Sequence, residues 1–533
     1  MWRIIENFRA SIICTNRNTP FFAYFQRYSN KKNITFAPYL VAIMALKIPK
    51  SSQIKTLDAY TIAYEPISSI ALMERAATAL FLKIKEHFHS TQTICILAGF
   101  GNNGGDALAL ARMLSNEKWQ VQVCLICGDK KLSPDCETNY QKFKNEFPEN
   151  IVSSVNDFKI AHDTLIIDGL FGVGLNREIT GEFAEAIHFI NAQQCTKIAI
   201  DIPSGLQGEQ MANESTAIVR ADYTFTFQFP KLAFMFHEHE QFVGNWDILD
   251  IQLHPDAIAA TATNLYFTQA NDAERRVRKR FSHKGTHGHL LCVVGSMGMA
   301  GAGIFAAKAA LRTGAGLLTV HAPECNRIIT QIACPEAMFV SDKNENGISN
   351  IEKTENFTAF VIGCGIGTNP ETQKMLELLL ERINKPCVLD ADALNIIAKN
   401  PHLLTKIPHE SIITPHPKEF ERLFGKTQNS LEQLELATKK AKELNIYIVL
   451  KGANSRIVSP NGEVNFNSTG NAGMATAGMG DALAGIIGGL LAQGYEPQKA
   501  ATMGVYLHGE AADKAVETKK IESLITSDLL EHL

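Results

Sequence analysis

Ile96–Arg112 reads ILAGFGNNGGDALALAR. A short apolar run, TICILAG (93–99), leaves through Gly101-Asn102-Asn103-Gly104-Gly105-Asp106 and enters the helix-like pattern DALALARMLSN. A run of that length, bounded by turn residues, predicts a buried strand. Consecutive backbone N–H groups in a Gly-rich turn before a helix form an anion cradle. Glycine lets the backbone approach a ligand closely. The competing reading is a tight strand-to-helix connection with Asp106 as N-cap. The spacing is not the dinucleotide G-x-G-x-x-G.

Outward from this stretch, strands and helices alternate. WQVQVCLIC, TLIIDGLFG (164–172), TKIAIDIPSG, ADYTFTFQF and NWDILDI read as strands, and EFAEAIHFINAQ as a helix. A second series starts at GHLLCVVGS (288–296). It runs through the helix AGIFAAKAALRTGAG and the strand segments LLTVHAP, AFVIGCGIG, PCVLDADALN, SIITPHPKEF and IYIVLKGAN. A hairpin-like NGEVNFNSTG precedes the long helix DALAGIIGGLLAQG. Apolar strands alternating with amphipathic helices predict α/β architecture, a parallel sheet covered on both faces, twice. The halves share no repeat period, so they read as two different domains. The expected layout is a leader over 1–43, a first domain over 44–262, a linker over 263–280 and a second domain over 281–533. The basic run ERRVRKR in the linker reads as a solvated connection rather than a phosphate patch.

Bulk properties narrow the function. At 533 residues the chain exceeds one core. It is 45% apolar and 20% charged, with a formal net charge of −4, so no basic field points to nucleic acid. No apolar run approaches the roughly 18 residues of a membrane span. Eleven scattered cysteines fit reduced thiols in a cytoplasmic setting. Cys124 and Cys127 lie on one strand pattern, where an i,i+3 pair faces opposite ways, and with Cys136 they find no nearby histidine, so zinc is not expected. The leader holds Arg3, Arg9, Arg17, Arg27, Lys31 and Lys32 against Glu6. It is expected to be a disordered or non-native extension, with translation from Met44 and organellar import as the alternatives.

Two further segments raise the Gly-rich turn above a mere connection. DGLFGVGLNRE (168–178) and DIPSG (201–205) put acids and glycines at later strand ends, where open α/β sheets bind ligands. Asn103, Asp168 and Ser204 would offer oxygens to a monovalent cation. Together with TFQFPK, these motifs resemble the NAD(P)H-hydrate epimerase domain, a Rossmann-like three-layer sandwich, over roughly residues 47–253. The resemblance implies that Asn102, Asn103, Gly104, Gly105 and Asp106 contact a hydrated dinucleotide, as does the loop Gly172, Val173, Gly174, Leu175, Asn176, Arg177 and Glu178. It implies potassium near Asn103, Asp168 and Ser204, and Asp201 facing the damaged nicotinamide. Two departures from the family flank the cradle: Phe100 stands for a common Pro and Ala107 for a common Gly.

The second half carries NAGMATAGMGDALAGIIGGLLAQG (471–494), in which Gly478-Met479-Gly480-Asp481 leads into a helix. A helix N-terminus with bare glycines suits phosphate, and an aspartate beside it suits a base for phosphoryl transfer. The plain alternative is an N-cap aspartate. With GSMGMAGAG (295–303), GCGIG (363–367), LDADALN (389–395), TPHPKEF (414–420) and KGANSR (451–456), the pattern resembles the ribokinase-like NAD(P)H-hydrate dehydratases over about 281–533. Ala472 stands for a usual Pro, and Asn454 also departs from the family. The resemblance implies Asp481 as the base. It implies Lys451, Gly452, Ala453, Asn454, Ser455 and Gly480 on the nucleotide, and Ala302, Gly365 and His416 on the hydrate. Magnesium would clamp the phosphates, and ADP is the expected co-substrate because the fused forms resemble the bacterial type.

The joint reading is repair of hydrated NADH and NADPH. One half epimerises the R and S hydrates. The other dehydrates the S hydrate, giving AMP and phosphate. The partners are these small molecules, with no nucleic acid or membrane and with a homo-oligomer expected. The alternative is a ribokinase-like vitamin-precursor kinase fused to a non-catalytic nucleotide-binding or scaffold domain.

Overall fold

The computed structural model describes residues 45–175, 179–213 and 216–533. The leader and the Asn176–Glu178 expectations lie outside the described residues. Two sheets organise the chain. The first has seven parallel strands, in the order Ile151–Val152, Gln120–Leu125, Thr93–Ala98, Leu165–Gly169, Thr196–Ile200, Tyr223–Phe227 and Asn245–Leu249. The chain builds outward on one side of Thr93–Ala98, then reverses to add Leu165–Gly169 on the other. Alternate residues of the central strand enter separate cores: Ile94, Ile96 and Ala98 on one face, Cys95 and Leu97 on the other. Burial on both faces is why these strands are continuous apolar runs.

The second sheet has eleven strands. Its centre is parallel, in the order Met338–Asp342, Leu317–Pro323, His289–Val293, Ala359–Ile362, Cys387–Leu389, Ile412–Ile413 and Tyr447–Leu450. The same reversal occurs here, between His289–Val293 and Ala359–Ile362. Arg456–Val458 and Val464–Phe466 add an antiparallel hairpin, matching the pattern read from NGEVNFNSTG. Beyond it lie Leu265–Phe267 and Leu46–Lys47. Both come from segments that sequence placed outside the second domain. Ile48 and Phe267 are buried in one core with Val464 and Phe466, which is the physical reason they join this edge.

The halves share that core. Leu232, Ala233, Phe234, Met235 and Phe236 pack with Leu291, Val293 and Ile362. Ser430 N–H donates to Glu238 Oε1 at 2.8 Å across the seam. The arginines of ERRVRKR are exposed, yet two of them act on helix ends. Arg276 donates to Gly494 O at 3.1 Å and lies 4.3 Å over the Tyr495 ring, while Arg278 donates to Gly314 O at 2.6 Å. Both carbonyls follow helix C-termini, where positive charge is favourable. No helix among the described residues is long and apolar enough to cross a membrane.

Candidate active sites

In each sheet the strand order reverses once, leaving a crevice beyond the carboxyl ends where the two branches part. In the first sheet a cavity of about 590 Å³ fills it. Its walls include Asn102, Asn103 and Asp106 of the first turn and Phe171, Gly172, Val173, Gly174 and Leu175 of the next loop. Asp58, Lys55, Asp135, Asp201 and Lys231 add further ionisable groups to its lining.

The helix after the Gly-rich turn begins at Asn102, with Gly101 as N-cap, so Asp106 sits inside the helix instead of capping it. The first turn is drawn in by packing. A Cβ on Gly104 would lie 1.9 Å from Gly99 O, and one on Gly105 would lie 2.7 Å from Met73 Sδ. These two glycines, expected at the ligand, are buried against protein instead and lie outside the cavity wall. Ala107 is tolerated because Gly169 faces it, and Phe100 packs on Phe171 and Phe183 with centroids 6.1 and 5.7 Å apart.

Asn103, Asp168 and Ser204 come together as expected from sequence. Asn103 Nδ2 donates to Phe171 O at 3.0 Å, and Ser204 Oγ donates to Asp168 Oδ1 at 2.6 Å. Ser204 N–H donates to Asp168 Oδ2 at 2.8 Å, while Phe171 N–H donates to Ser204 Oγ at 2.9 Å. Burial pushes the Asp168 carboxyl up to about 6 despite these donors. Asp201 occupies a left-handed backbone position, φ 65°, of the kind that concentrates at functional sites. Its Oδ1 receives Lys231 Nζ at 2.9 Å and donors from Thr226 and Phe227, each at 3.2 Å. The Lys231 ammonium also reaches Phe229 O at 3.1 Å. Burial, with Asp201, Asp58 and Asp135 around it, holds Asp106 well above the ordinary carboxylate range.

In the second sheet the helix Met479–Ala492 brings its N-terminus to the crevice. It does so by laying Gly485 and Gly489 on the backbone of Ala306 and Ala310 in the helix Ala300–Thr313. Gly478 is the N-cap at φ 88°, so Asp481 stands in the first turn without being the cap. Asp481, Asp390 and Cys364 offer ligand atoms within 4.8 Å of one another. Lys451 Nζ lies 2.5 Å from Asp390 Oδ1, which also accepts from Thr414 Oγ1 at 2.8 Å. Burial, reinforced by Asp390, pushes Asp481 up to about 6 against the opposing pull of the Cys364 hydrogen bond and the Lys451 ammonium. A Cβ on Gly480 would lie 3.3 Å from Lys451 Nζ, and one on Gly365 3.2 Å from the Ala302 Cβ. Thus Asp481, Gly480 and Lys451 converge, as do Ala302 and Gly365.

The other expected residues are more committed. His416 is an N-cap whose Nδ1 accepts from Lys418 N–H at 3.2 Å, leaving its proton on Nε2 when neutral. Burial and the charge of Lys451 lower its pKa. Ser455 Oγ closes its own turn on Gly452 O at 2.9 Å, and Asn454 Nδ2 reaches Phe234 O across the seam at 3.5 Å.

Residues 290–533 match the family described as NAD(P)H-hydrate dehydratase, and residues 69–233 match YjeF-related protein N-terminus. The chain is 34% identical over 504 residues to the bifunctional NAD(P)H-hydrate repair enzyme Nnr of Moorella thermoacetica, covering 91% of this chain and 95% of that one. It belongs to the bifunctional NAD(P)H-hydrate repair enzymes. The Escherichia coli K12 member is 32% identical over 472 residues, covering 87% and 88%. Among solved structures, an ADP/ATP-dependent NAD(P)H-hydrate dehydratase from Bacillus subtilis, co-crystallised with ATP and Mg2+, is 30% identical. It covers 49% of this chain and 92% of its own, with a TM-score of 0.42. The relatives span both halves, so the kinase-plus-scaffold alternative is not favoured. Asp58 and Lys231 had no role in the sequence reading. Lys231 was in view within TFQFPK, but its partner lies thirty residues earlier in the chain.

Proposed function

We propose that the two crevices divide the repair of a hydrated reduced nicotinamide dinucleotide, the first epimerising it and the second dehydrating it at the expense of ADP. One observation carries the second assignment: Asp481 stands in the first turn of a helix whose Gly478 and Gly480 leave the backbone bare beside Lys451. That turn would receive the terminal phosphoryl group. Asp481 takes the proton of the hydrate's hydroxyl as that oxygen attacks phosphorus, and AMP leaves. The ring nitrogen's lone pair then expels phosphate, and loss of a ring C–H proton restores the double bond. Asp390 holds Lys451 charged: burial alone would lower its pKa, but the carboxylate outweighs it. Lys451 is thereby placed to meet phosphate oxygens.

The chemistry of the donors fits magnesium here. The Asp390 carboxylate would hold it, and the phosphates would complete a hard-oxygen shell, leaving Asp481 free as the base. The ion would neutralise phosphate charge. In the first crevice the oxygens of Asn103, Asp168 and Ser204, with the Phe171 carbonyl that Asn103 Nδ2 and Ser204 Oγ both reach, fit potassium. Bound there, it would steady the loop that follows Phe171. Asn102, Asn103, Asp106 and the loop from Gly172 would then bind the dinucleotide, with Asp201 at the ring.

The test is incubation with an R and S hydrate mixture, ADP and Mg2+, following reduced-nicotinamide absorbance. Full return of absorbance is expected. Return of only one epimer's share would remove the epimerase assignment. Equal or better turnover with ATP would overturn the choice of ADP.

A further inference from the structure

The helix Ser51–Tyr64 lies outside the residues that match either family, yet it forms part of the first cavity's wall. Ile54, Asp58 and Ile62 all line that cavity. They are spaced four apart, so they form one stripe along the helix. A single carboxyl thus interrupts an apolar stripe that faces the crevice. The neighbouring Leu57 is 2% exposed and anchors the helix in a core with Leu72, Phe229 and Ile251, which fixes the direction of the stripe. Among the described residues, the charged and titratable groups around this space are Asp58 and Lys55 from the helix, Asp106 and Asp135 from the first-turn side, and Asp201 with Lys231 from the strand ends.

We propose that Asp58 is a second catalytic carboxyl of the epimerase site, the acid that works with Asp201 as the base. This rests on the reading of the first crevice given above. Lys231 is bonded to Asp201 at 2.9 Å. Among the described residues Asp58 has no such partner, and it lines the same cavity as that pair. Burial and the Asp201 charge push it up to about 6, with Lys231 pulling the other way. Two carboxyls lining one cavity, one salt-bridged to a lysine and one not, make an arrangement that suits an acid and a base. Burial also holds Asp106, on the same cavity, above the ordinary carboxylate range.

The step balances as follows. The ring nitrogen's lone pair forms a C=N bond as the C–O bond breaks, and the hydroxyl leaves as water with the Asp58 proton. A water then adds to the other face of the same carbon, and its proton passes to Asp201. The product is the opposite epimer, and the two carboxyls have exchanged protonation states. They reset through solvent or serve the reverse direction with their roles swapped.

The test uses full-length protein, the R hydrate without ADP, and stereospecific chromatography. Asp58→Asn should lower kcat for epimerisation about 100-fold while KM stays within about twofold, the scale of a lost general acid. Asp58→Glu should recover part of the rate. Dehydration of pure S hydrate by the same preparations reports folding and should be unchanged. Wild-type kcat should fall as pH rises through about 6, because the acid must carry its proton. Asp58→Asn should lose that limb. An Asp58→Asn enzyme within threefold of wild type overturns the proposal. So does a flat wild-type profile from pH 5 to 8, which needs no variant and remains decisive if the substitution misfolds. Wild-type protein that does not epimerise at all would instead overturn the function assigned to the crevice.

Discussion

The two crevices arise from one topological device and hold opposite arrangements of charge. The first gathers Asp58, Asp106, Asp135 and Asp201 around a cavity with one buried ammonium, Lys231, bonded to a single member. The second compresses Asp390, Asp481 and Cys364 into a cluster that Lys451 neutralises from one side, at the N-terminus of a long helix. Dispersed acids around a cavity suit moving protons to and from a ring. A helix end with a lysine beside it suits an anion that carries several charges. The strand reversal supplies only the place; the side chains decide the chemistry.

The sharpest way to break this contrast is Asp481→Asn. Dehydration should fall by roughly two to four orders of magnitude. Epimerisation should stay within about twofold, because the base belongs to the second cluster alone. Steady-state assays of each reaction on one preparation check this. Loss of both activities in a folded protein would mean that the sites are not chemically separate.

A pH series sharpens the same contrast. Asp481 must be ionised to act as a base and is pushed up to about 6. Dehydration should therefore rise with pH through that point, falling roughly tenfold per unit below it. Epimerisation, which needs a protonated carboxyl, should change in the opposite sense over the same window. Parallel kcat profiles for the two reactions would show that the two environments do not differ as described.

How far sequence reached follows the same division. Asp201 and Asp481 were legible because each sits where a strand ends or a helix begins, beside glycines that pack no core. The alternation of apolar strands and helices gave both sheets for the same local reason. Asp58 was not legible: in SSQIKTLDAYTIAY it looks like any acid on a half-exposed helix, and only the tertiary fold turns that stripe into the crevice. Lys231 was hidden by distance along the chain. The helix start at Asn102 was missed because Asn and Gly are weak helix formers, and close packing of Gly104 on Gly99 overrides that preference. Edge pairing of Leu46–Lys47 with Leu265–Phe267 joins segments more than two hundred residues apart, which no local pattern encodes.

The contrast also has a packing side. The second site depends on a helix brought close by glycines, and Gly485→Ala would set a Cβ 2.1 Å from Ala306 O. Backbone cannot move aside cheaply, so overpacking of about 1–3 kcal/mol is expected. Denaturant melts should show the loss, and dehydration should suffer more than epimerisation. An unchanged midpoint would mean that the two helices tolerate a wider separation.

Gly301 gives the smallest effect and tests what the space at the second crevice is for. It lies in the helix Ala300–Thr313, one residue before Ala302, and a Cβ there would meet nothing within 4 Å. A helical glycine with free space around it costs about 0.5–1 kcal/mol relative to alanine. Gly301→Ala should therefore raise the melting temperature by about 1–3 °C. If the neighbouring Ala302 and Gly365 touch the hydrate, the added methyl intrudes on bound ligand. The KM for S hydrate should then rise severalfold while kcat and epimerisation hold. A gain in stability with no change in KM would place the hydrate away from this helix end. That would leave Asp481 and Lys451 to position the nucleotide without Ala302 and Gly365 as the opposing wall.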